Sequence, residues 1–119
     1  MSKVVLIVED EPHLMEVICL ILALDNYILI PCAAVRIFKQ ELEKQTPDLI
    51  ILDVLLPDGN GIDICNEMKS HTTFKTIPIL LMSAHLDLKK LAKNCADAFI
   101  EKPFSIDDFR ARVRILLAD

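Results

Sequence analysis

The feature that most constrains the fold is an alternation between two kinds of apolar pattern along the chain. Short, continuous apolar runs occur at residues 4–8, 49–52 and 77–82, with weaker runs at 27–30 and 98–100. Runs of this kind are typical of strands that are buried on both faces of a parallel sheet. Apolar residues at helical spacing occur between or after them, within residues 14–22, 34–42, 64–68, 88–95 and 106–117. The pattern therefore predicts a strand followed by a helix, five times over.

Five such units predict one parallel sheet with helices on both faces, because parallel strands need right-handed helical crossovers. We expect an α/β fold of the doubly wound (βα)5 type, a three-layer sandwich around a five-stranded sheet. The strand order 2-1-3-4-5 suits five strands, although periodicity alone does not select it. Residues 1–119 have the length of one domain, and no linker or repeat divides them. Ser105, followed by Asp108, resembles a capping box at the start of the last helix.

Composition excludes several classes of function. The net charge is −5, so we expect no direct contact with nucleic acid, whose binding depends on Lys and Arg. The four cysteines are at least thirteen positions apart, which is too far for the close pairs of a zinc site. We find no signal-peptide pattern and no apolar stretch of the roughly 20 residues that a membrane span needs. We therefore expect a cytoplasmic protein with free, buried thiols.

Reactive side chains follow four of the five apolar runs, where each predicted strand ends. Glu9 and Asp10 follow the first run, Asp53 the third, Ser83 the fourth and Lys102 the fifth. In sheets of this kind, ligands bind outside the carboxyl ends of the strands, so we expect these groups to share one edge. Each residue has an ordinary alternative: Asp10 could cap a helix that opens at Pro12. Ser83 could also be a cap, and Lys102 could be a solvated strand end.

The set as a whole indicates phosphoryl chemistry. Three carboxylates in one cleft repel each other unless a cation joins them, and hard oxygen ligands of this type favour Mg²⁺. A lysine and a hydroxyl beside that ion supply the positive charge and the hydrogen-bond donor that a phosphoryl group needs. One aspartate could then act as the nucleophile and form an acyl phosphate. Such transfer depends on positioning and charge neutralisation and requires no histidine.

Four segments carry these residues in order: VEDEP at 8–12, PDLIILDVLLPDGNG at 47–61, PILLMSA at 78–84 and FIEKPF at 99–104. Together they resemble the receiver domain of bacterial two-component response regulators over essentially the whole chain. The resemblance implies a flavodoxin-like fold and a phosphorylation-dependent signalling switch. It also implies that the domain is not an enzyme and catalyses only its own phosphoryl transfer and dephosphorylation.

The resemblance also implies a role for each site residue. Asp53 is expected to be the phosphoacceptor, and Mg²⁺ or Mn²⁺ is the expected cofactor. The expected metal ligands are Asp10, Asp53, the backbone carbonyl of Leu55 and, through water, Glu9. The expected phosphoryl ligands are the Ser83 hydroxyl, the Ala84 amide and Lys102, whose bond to Pro103 is cis in the family. Phe99 matches the switch aromatic that turns inward when Ser83 moves toward the phosphate, although an ordinary core phenylalanine is the alternative.

The implied partners are a sensor histidine kinase or a phosphotransfer protein, together with an output domain or protein that the sequence does not identify. A homodimer that forms on phosphorylation is a further expectation. Three arrangements stay open: a stand-alone receiver, a phosphorelay shuttle, or the receiver part of a longer regulator or hybrid kinase. The last two predicted helices carry six basic residues that could form either a partner face or an ordinary solvated surface. They are Lys89, Lys90, Lys93, Arg110, Arg112 and Arg114.

Three other functions remain as alternatives. A phosphatase with an aspartyl-phosphate intermediate would usually carry a second Asp two positions after the nucleophile, where this chain has Leu55. A flavin-binding module would need a phosphate-cradling loop after the first strand, where Glu9 and Asp10 would repel a phosphate. A degenerate receiver is disfavoured because the reactive set is complete.

The chain departs from the family pattern in two places. Lys102 follows Ser83 by only nineteen positions, which is shorter than usual in the family and predicts a short fourth helix. Cys95 and Asn26 stand where glycine is usual. Asn tolerates the left-handed conformation, so at Cys95 either the turn differs or strain is tolerated.

Overall fold

The structure is a computed structural model that describes residues 2–118, apart from the side chain of Leu86. Its strands in chain order are β1 (Val4–Val8), β2 (Ile28–Cys32), β3 (Leu49–Asp53), β4 (Leu55–Leu56), β5 (Gly59–Asn60), β6 (Ile79–Ser83) and β7 (Ala98–Glu101). Five of them form one parallel sheet in the order β2-β1-β3-β6-β7. Because β6 and β7 are the fourth and fifth strands of this sheet, the predicted order 2-1-3-4-5 is confirmed. The short strands β4 and β5 form a separate antiparallel hairpin.

Helices cover both faces of the sheet, as the apolar runs predicted. The helices are α1 (Pro12–Ala23), α2 (Val35–Lys44), α3 (Gly61–Ser70) and α4 (Ile106–Leu117). Successive side chains of β1 point to opposite faces: Val5 and Ile7 pack with α1 and α4, whereas Leu6 and Val8 pack with α2 and α3. Both faces therefore need apolar residues, which explains the continuous runs. No helix within residues 2–118 is long and apolar enough to cross a membrane.

The prediction of a fourth α-helix is wrong. Residues Leu86–Lys90 form a 3-10 helix, and turns follow as far as residue 95. Most backbone bonds in this segment join residues three apart, such as Leu91 N to Leu88 O at 3.1 Å and Cys95 N to Ala92 O at 3.1 Å. A 3-10 helix rises about 2.0 Å per residue, against 1.5 Å in an α-helix. Fewer residues can therefore span the same distance between β6 and β7.

The two expected glycine replacements behave differently. Asn26 has φ 66° and is the only non-glycine residue with positive φ among residues 2–118, which agrees with the tolerance of Asn for this conformation. Cys95 lies in the shortened segment without positive φ, so the turn itself differs and no strain arises there. The Lys102–Pro103 bond is cis, and Ser105 Oγ accepts the Asp108 amide at 3.0 Å, both as predicted.

An ionic cluster joins the end of α1 to α4. Asp25 accepts hydrogen bonds from Arg110 Nε at 3.0 Å, Arg110 Nη2 at 2.8 Å and Arg114 Nη2 at 2.9 Å. Arg112 donates to Asp108 Oδ1 and to the Phe99 carbonyl. These three arginines are therefore engaged within the domain, which weakens their interpretation as a free partner face.

Replacement of Asp25 by Asn is expected to lower the free energy of unfolding by about 1 kcal/mol at neutral pH, after allowance for the exposure of Arg114. The two arginines lower the pKa of Asp25 from 3.8 to about 2. A lowered carboxyl pKa stabilises the fold above pH 3.8, and this contribution is lost as the pH falls through about 2. Urea unfolding of wild type and variant at several pH values measures the difference. An Asp87→Asn variant, which changes an exposed carboxylate, is the control; a pH-independent loss in Asp25→Asn would contradict the ionic origin.

Candidate functional site

The predicted reactive residues do meet at the carboxyl edge of the sheet. Asp53 is the last residue of β3 and pairs in register with Met82, and Ser83 ends β6 beside Glu101 of β7. Glu9 follows β1 directly, and its amide bonds to the Cys32 carbonyl of β2 at 3.1 Å. Because the strands are parallel, their ends bring groups from distant parts of the chain to one cleft.

The centre of this edge is an acidic cluster neutralised by one lysine. Oxygen atoms of Glu9, Asp10 and Asp53 lie within 4.8 Å of one another. Lys102 Nζ donates to Glu9 Oε1 at 2.7 Å and to Asp53 Oδ1 at 3.0 Å. The side chain of Glu9 is 1% exposed, that of Asp53 is 9% exposed and that of Lys102 is 20% exposed. The charges therefore interact in a poorly solvated place, where their mutual effects are strong.

Burial and repulsion oppose the ionised form of Asp53. Burial raises the pKa of the Asp53 carboxyl, the hydrogen bond from Lys102 opposes that rise, and the charge of Glu9 adds to it. At Lys102 burial acts to lower the pKa, but the bonds to Glu9 and Asp53 outweigh it, so the pKa of the ammonium group is raised. Lys102 is therefore a fixed positive charge at neutral pH. The site still carries more negative than positive charge.

The chemistry of this donor set fits a hard divalent cation. Three carboxylates offer oxygen ligands within one small space, and Mg²⁺ prefers oxygen ligands while keeping several waters. Asp10 is exposed, whereas Glu9 and Asp53 are buried, so the cluster has one open side where water and a phosphoryl group can reach it. Mn²⁺, with similar ligand preferences, suits the same oxygens.

The alternative reading of Asp10 as a helix cap is wrong, because Glu11 caps α1. Glu11 accepts hydrogen bonds from the amides of Leu14 at 2.6 Å and His13 at 3.1 Å, and these bonds lower its pKa. Its own amide donates to Glu9 Oε2 at 3.0 Å. Pro12 at the first helical position was the available signal, because the residue before such a proline is the cap. The Asp10 side chain therefore does not cap α1, and its carboxylate belongs to the acidic cluster with Glu9 and Asp53.

Ser83 occupies the opposite side of the cleft. It is 2% exposed, and its carbonyl accepts the Lys102 amide at 2.9 Å, which ties β6 to β7. Its Oγ accepts the His85 amide at 3.0 Å. A hydroxyl that accepts one bond still carries a proton to donate, so Ser83 can offer a hydrogen bond to an anion. Ala84 follows it and is exposed at the same edge.

Phe99 and Leu55 are two further residues for which the sequence predicts a role. Phe99 is buried on β7 within the core that α2 and α3 cover, so its ring is inward in this structure. Leu55 begins β4, two residues after Asp53, and the residue is 54% exposed. The roles expected for the Phe99 ring and for the Leu55 carbonyl remain predictions.

Sequence analysis missed Asp58, in the turn between β4 and β5. Its Oδ1 accepts the Val35 amide at 2.9 Å and its Oδ2 accepts the Arg36 amide at 3.1 Å, and these bonds lower the pKa of Asp58. The cap position of α2 is Ala34, which has no side chain for this purpose. That alanine was the signal that the cap must come from elsewhere.

Comparison with known sequences identifies close similarities. The sequence model described as the response regulator receiver domain matches residues 5–114. The transcriptional regulatory protein KdpE of Staphylococcus aureus is 33% identical over 121 residues, which cover 98% of this chain and 50% of that protein. The chain spans about half the length of the curated relatives it matches.

Comparison with solved structures gives the same result. The receiver domain of a signal transduction histidine kinase from Syntrophus aciditrophicus has a TM-score of 0.90 at 32% identity, covering 98% of this chain and 91% of that one. The response regulator TrrA of Thermotoga maritima, solved in complex with Mg²⁺-BeF, has a TM-score of 0.88 at 26% identity. That match covers 98% of this chain and 100% of the other.

Proposed function

The chain belongs to the response regulator receiver domain family, and from that premise we propose that it is a phosphorylation-dependent switch with Asp53 as phosphoacceptor. Receiver domains are signalling domains of two-component systems. We propose one such domain over residues 1–119, supported by the family match to residues 5–114.

The observation that carries this proposal is the geometry of Asp53. The carboxylate ends β3, is nearly buried, lies within reach of two other carboxylates and is bonded to Lys102 at 3.0 Å. A purely structural aspartate would have a neutralising partner of its own. Here one lysine serves two buried carboxylates, which suits a site where a cation and a phosphoryl group would bind.

In the proposed reaction, a carboxylate oxygen of Asp53 attacks the phosphorus of a donor phosphohistidine. The O–P bond forms, the P–N bond breaks, and the imidazole nitrogen keeps the electron pair. Lys102 and the Ser83 hydroxyl would hold the phosphoryl oxygens, together with the Ala84 amide. Asp10, Asp53, the Leu55 carbonyl and, through water, Glu9 would hold Mg²⁺, which when bound offsets the charge of the approaching phosphoryl group.

We propose a sensor histidine kinase or a phosphotransfer protein as the donor, met in the bacterial cytoplasm. The output is a domain or protein whose binding to this domain changes after phosphorylation. A homodimer that forms on phosphorylation is one such output. The energy needed is modest, since allosteric couplings are typically about 1–3 kcal/mol. Ser83 and Phe99 would carry the change, with the Ser83 hydroxyl moving toward the phosphoryl group and donating its proton to a phosphoryl oxygen.

The test is the intact mass of the purified protein after incubation with a small acyl-phosphate donor, with and without Mg²⁺. We expect a gain of one phosphoryl group that needs Mg²⁺ and is absent in Asp53→Ala. Asp63→Ala, which removes an exposed carboxylate of α3, is the matched control and should gain the group normally. An equal gain in Asp53→Ala, or no gain in wild type under any condition, would overturn the proposal.

A further inference from the structure

The geometry points to Asp58 as a positioning residue for the phosphoacceptor site, an inference that rests on the function proposed above. Asp58 does not touch the acidic cluster. It acts at the tip of the hairpin that leaves Asp53, which we call the acceptor hairpin and define as residues 54–61. By bonding the start of α2, it holds this hairpin against the body of the domain.

The first step is that Asp58 replaces a missing helix cap. The first amides of any helix lack partners within the helix and need acceptors from outside. In α2 the cap residue Ala34 makes no side-chain bond, and the amides of Val35 and Arg36 are both bonded by Asp58. Helix caps are usually local in sequence, but Asp58 lies 23 positions beyond Val35. The contact therefore joins two separate elements.

The second step is that the acceptor hairpin is a closed unit that can transmit this restraint. Its two strands pair Leu55 with Asn60 and Leu56 with Gly59. The Gly61 amide closes its base on the Val54 carbonyl at 2.7 Å. A short hairpin held at its base moves mainly by pivoting, so a restraint on its tip also fixes the orientation of Leu55 near the base.

The third step is that the tip already lies against α2. A Cβ atom placed on Gly59 would come within 2.9 Å of Val35 Cγ2, so the hairpin backbone and the helix are in close contact. Cys32 ends β2, shortly before α2 begins, and its backbone carbonyl accepts the Glu9 amide at 3.1 Å. A ring of contacts therefore runs from Glu9 through β2 and the start of α2 to Asp58, and back along the hairpin to Asp53.

The consequence concerns the two groups at the base of the hairpin. Asp53 supplies the acceptor carboxylate, and the Leu55 carbonyl is the proposed backbone ligand of the metal ion. Without Asp58, the hairpin loses its anchor on α2, and the base bond from the Gly61 amide to the Val54 carbonyl opens more often. The Leu55 carbonyl would then sample more orientations, and both metal binding and phosphoryl transfer would weaken although no ligand had been removed.

The experiment compares Asp58→Ala with Asp58→Asn and with wild type. Calorimetric titration with Mg²⁺ alone should give about tenfold weaker binding in Asp58→Ala, as is usual when a group that orients a ligand is lost. Asp58→Asn keeps one acceptor oxygen and should recover most of the affinity. In the metal-free protein, hydrogen exchange of the Gly61 amide should be faster in Asp58→Ala than in wild type.

A control separates positioning from mere stability of α2. Phe38→Leu loosens the packing of α2 at a fully buried residue and leaves Asp58 and its two amide partners unchanged. It should lower the melting temperature but leave Mg²⁺ affinity and Gly61 exchange unchanged. Wild-type affinity in Asp58→Ala, or an equal loss of affinity in Phe38→Leu, would overturn the inference. If wild type instead accepts no phosphoryl group, the proposed function fails, while the Mg²⁺ and exchange data still judge Asp58.

Discussion

Replacement of Lys102 by Met is expected to lower the free energy of unfolding by about 3 kcal/mol at neutral pH, since it breaks a buried ion pair from one side. Glu9, whose side chain is 1% exposed, would lose its ion pair with Lys102, and Asp53 would lose the bond that favours its ionised form. Phosphorylation by a small acyl phosphate should also slow by at least about 100-fold, the typical effect of removing one stabilising donor. Denaturant unfolding and the rate of mass gain measure the two effects.

The same variant gives a second, independent readout. With Lys102 gone, the carboxylate cluster carries one more uncompensated charge, so millimolar Mg²⁺ should raise the melting temperature more in Lys102→Met than in wild type. Lys102→Arg keeps the positive charge, although its planar group cannot reproduce the lysine geometry. We therefore expect Lys102→Arg to restore the free energy of unfolding more fully than it restores the rate of phosphorylation. Equal Mg²⁺ shifts in Lys102→Met and wild type would show that Lys102 does not offset the charge of the metal site.

Replacement of Gly61 by Ala is expected to lower the free energy of unfolding by about 3 kcal/mol, the upper part of the range for overpacking. The added methyl group would press on the Asp53 carbonyl oxygen and come within 2.8 Å of Val54 Cα. These are backbone atoms and cannot turn aside as a side chain can. Ala is the better helix former, so propensity alone predicts the opposite sign. Because the displaced residue, Asp53, is the proposed phosphoacceptor, phosphorylation should slow by at least about tenfold.

Gly59→Ala is the matched control for this prediction. Its methyl group would meet Val35 Cγ2 at 2.9 Å, a side-chain atom that can shift, so we expect a cost of about 1 kcal/mol and nearly normal phosphorylation. Thermal or urea unfolding of the two variants side by side checks the ranking. A Gly61→Ala variant as stable as Gly59→Ala would show that the backbone at Asp53 yields easily.

Much of the site was predictable because it is built from strand ends. Asp53 and Ser83 come directly after an apolar run and Lys102 comes two positions after one, and the topology of a parallel sheet brings such positions together. The same reasoning could not place Glu11 or Asp58. Both bond to backbone amides, and the partner of a cap is visible in sequence only when it is local. Pro12 pointed to the first of these caps, whereas only the empty cap position at Ala34 hinted at the second.

The segment between β6 and β7 shows a different limit. Leu88, Leu91, Ala92 and Cys95 have helical spacing, and the prediction of an α-helix followed from it. Spacings of three and four residues also suit a tighter 3-10 helix with turns. The distance between two strand ends decided between them, and that distance is a property of the assembled sheet.

The sequence by itself determined the five strands, their burial on both faces and the set of reactive residues, because each of these depends on local patterns of polarity. Tertiary structure alone decided which charges are shared, since one Lys102 ammonium serves both Glu9 and Asp53 across 93 and 49 positions of chain. It also decided how the acceptor hairpin is held, through Asp58 and the start of α2. Such contacts depend on distances in space between segments far apart in the chain, and no local pattern encodes a distance.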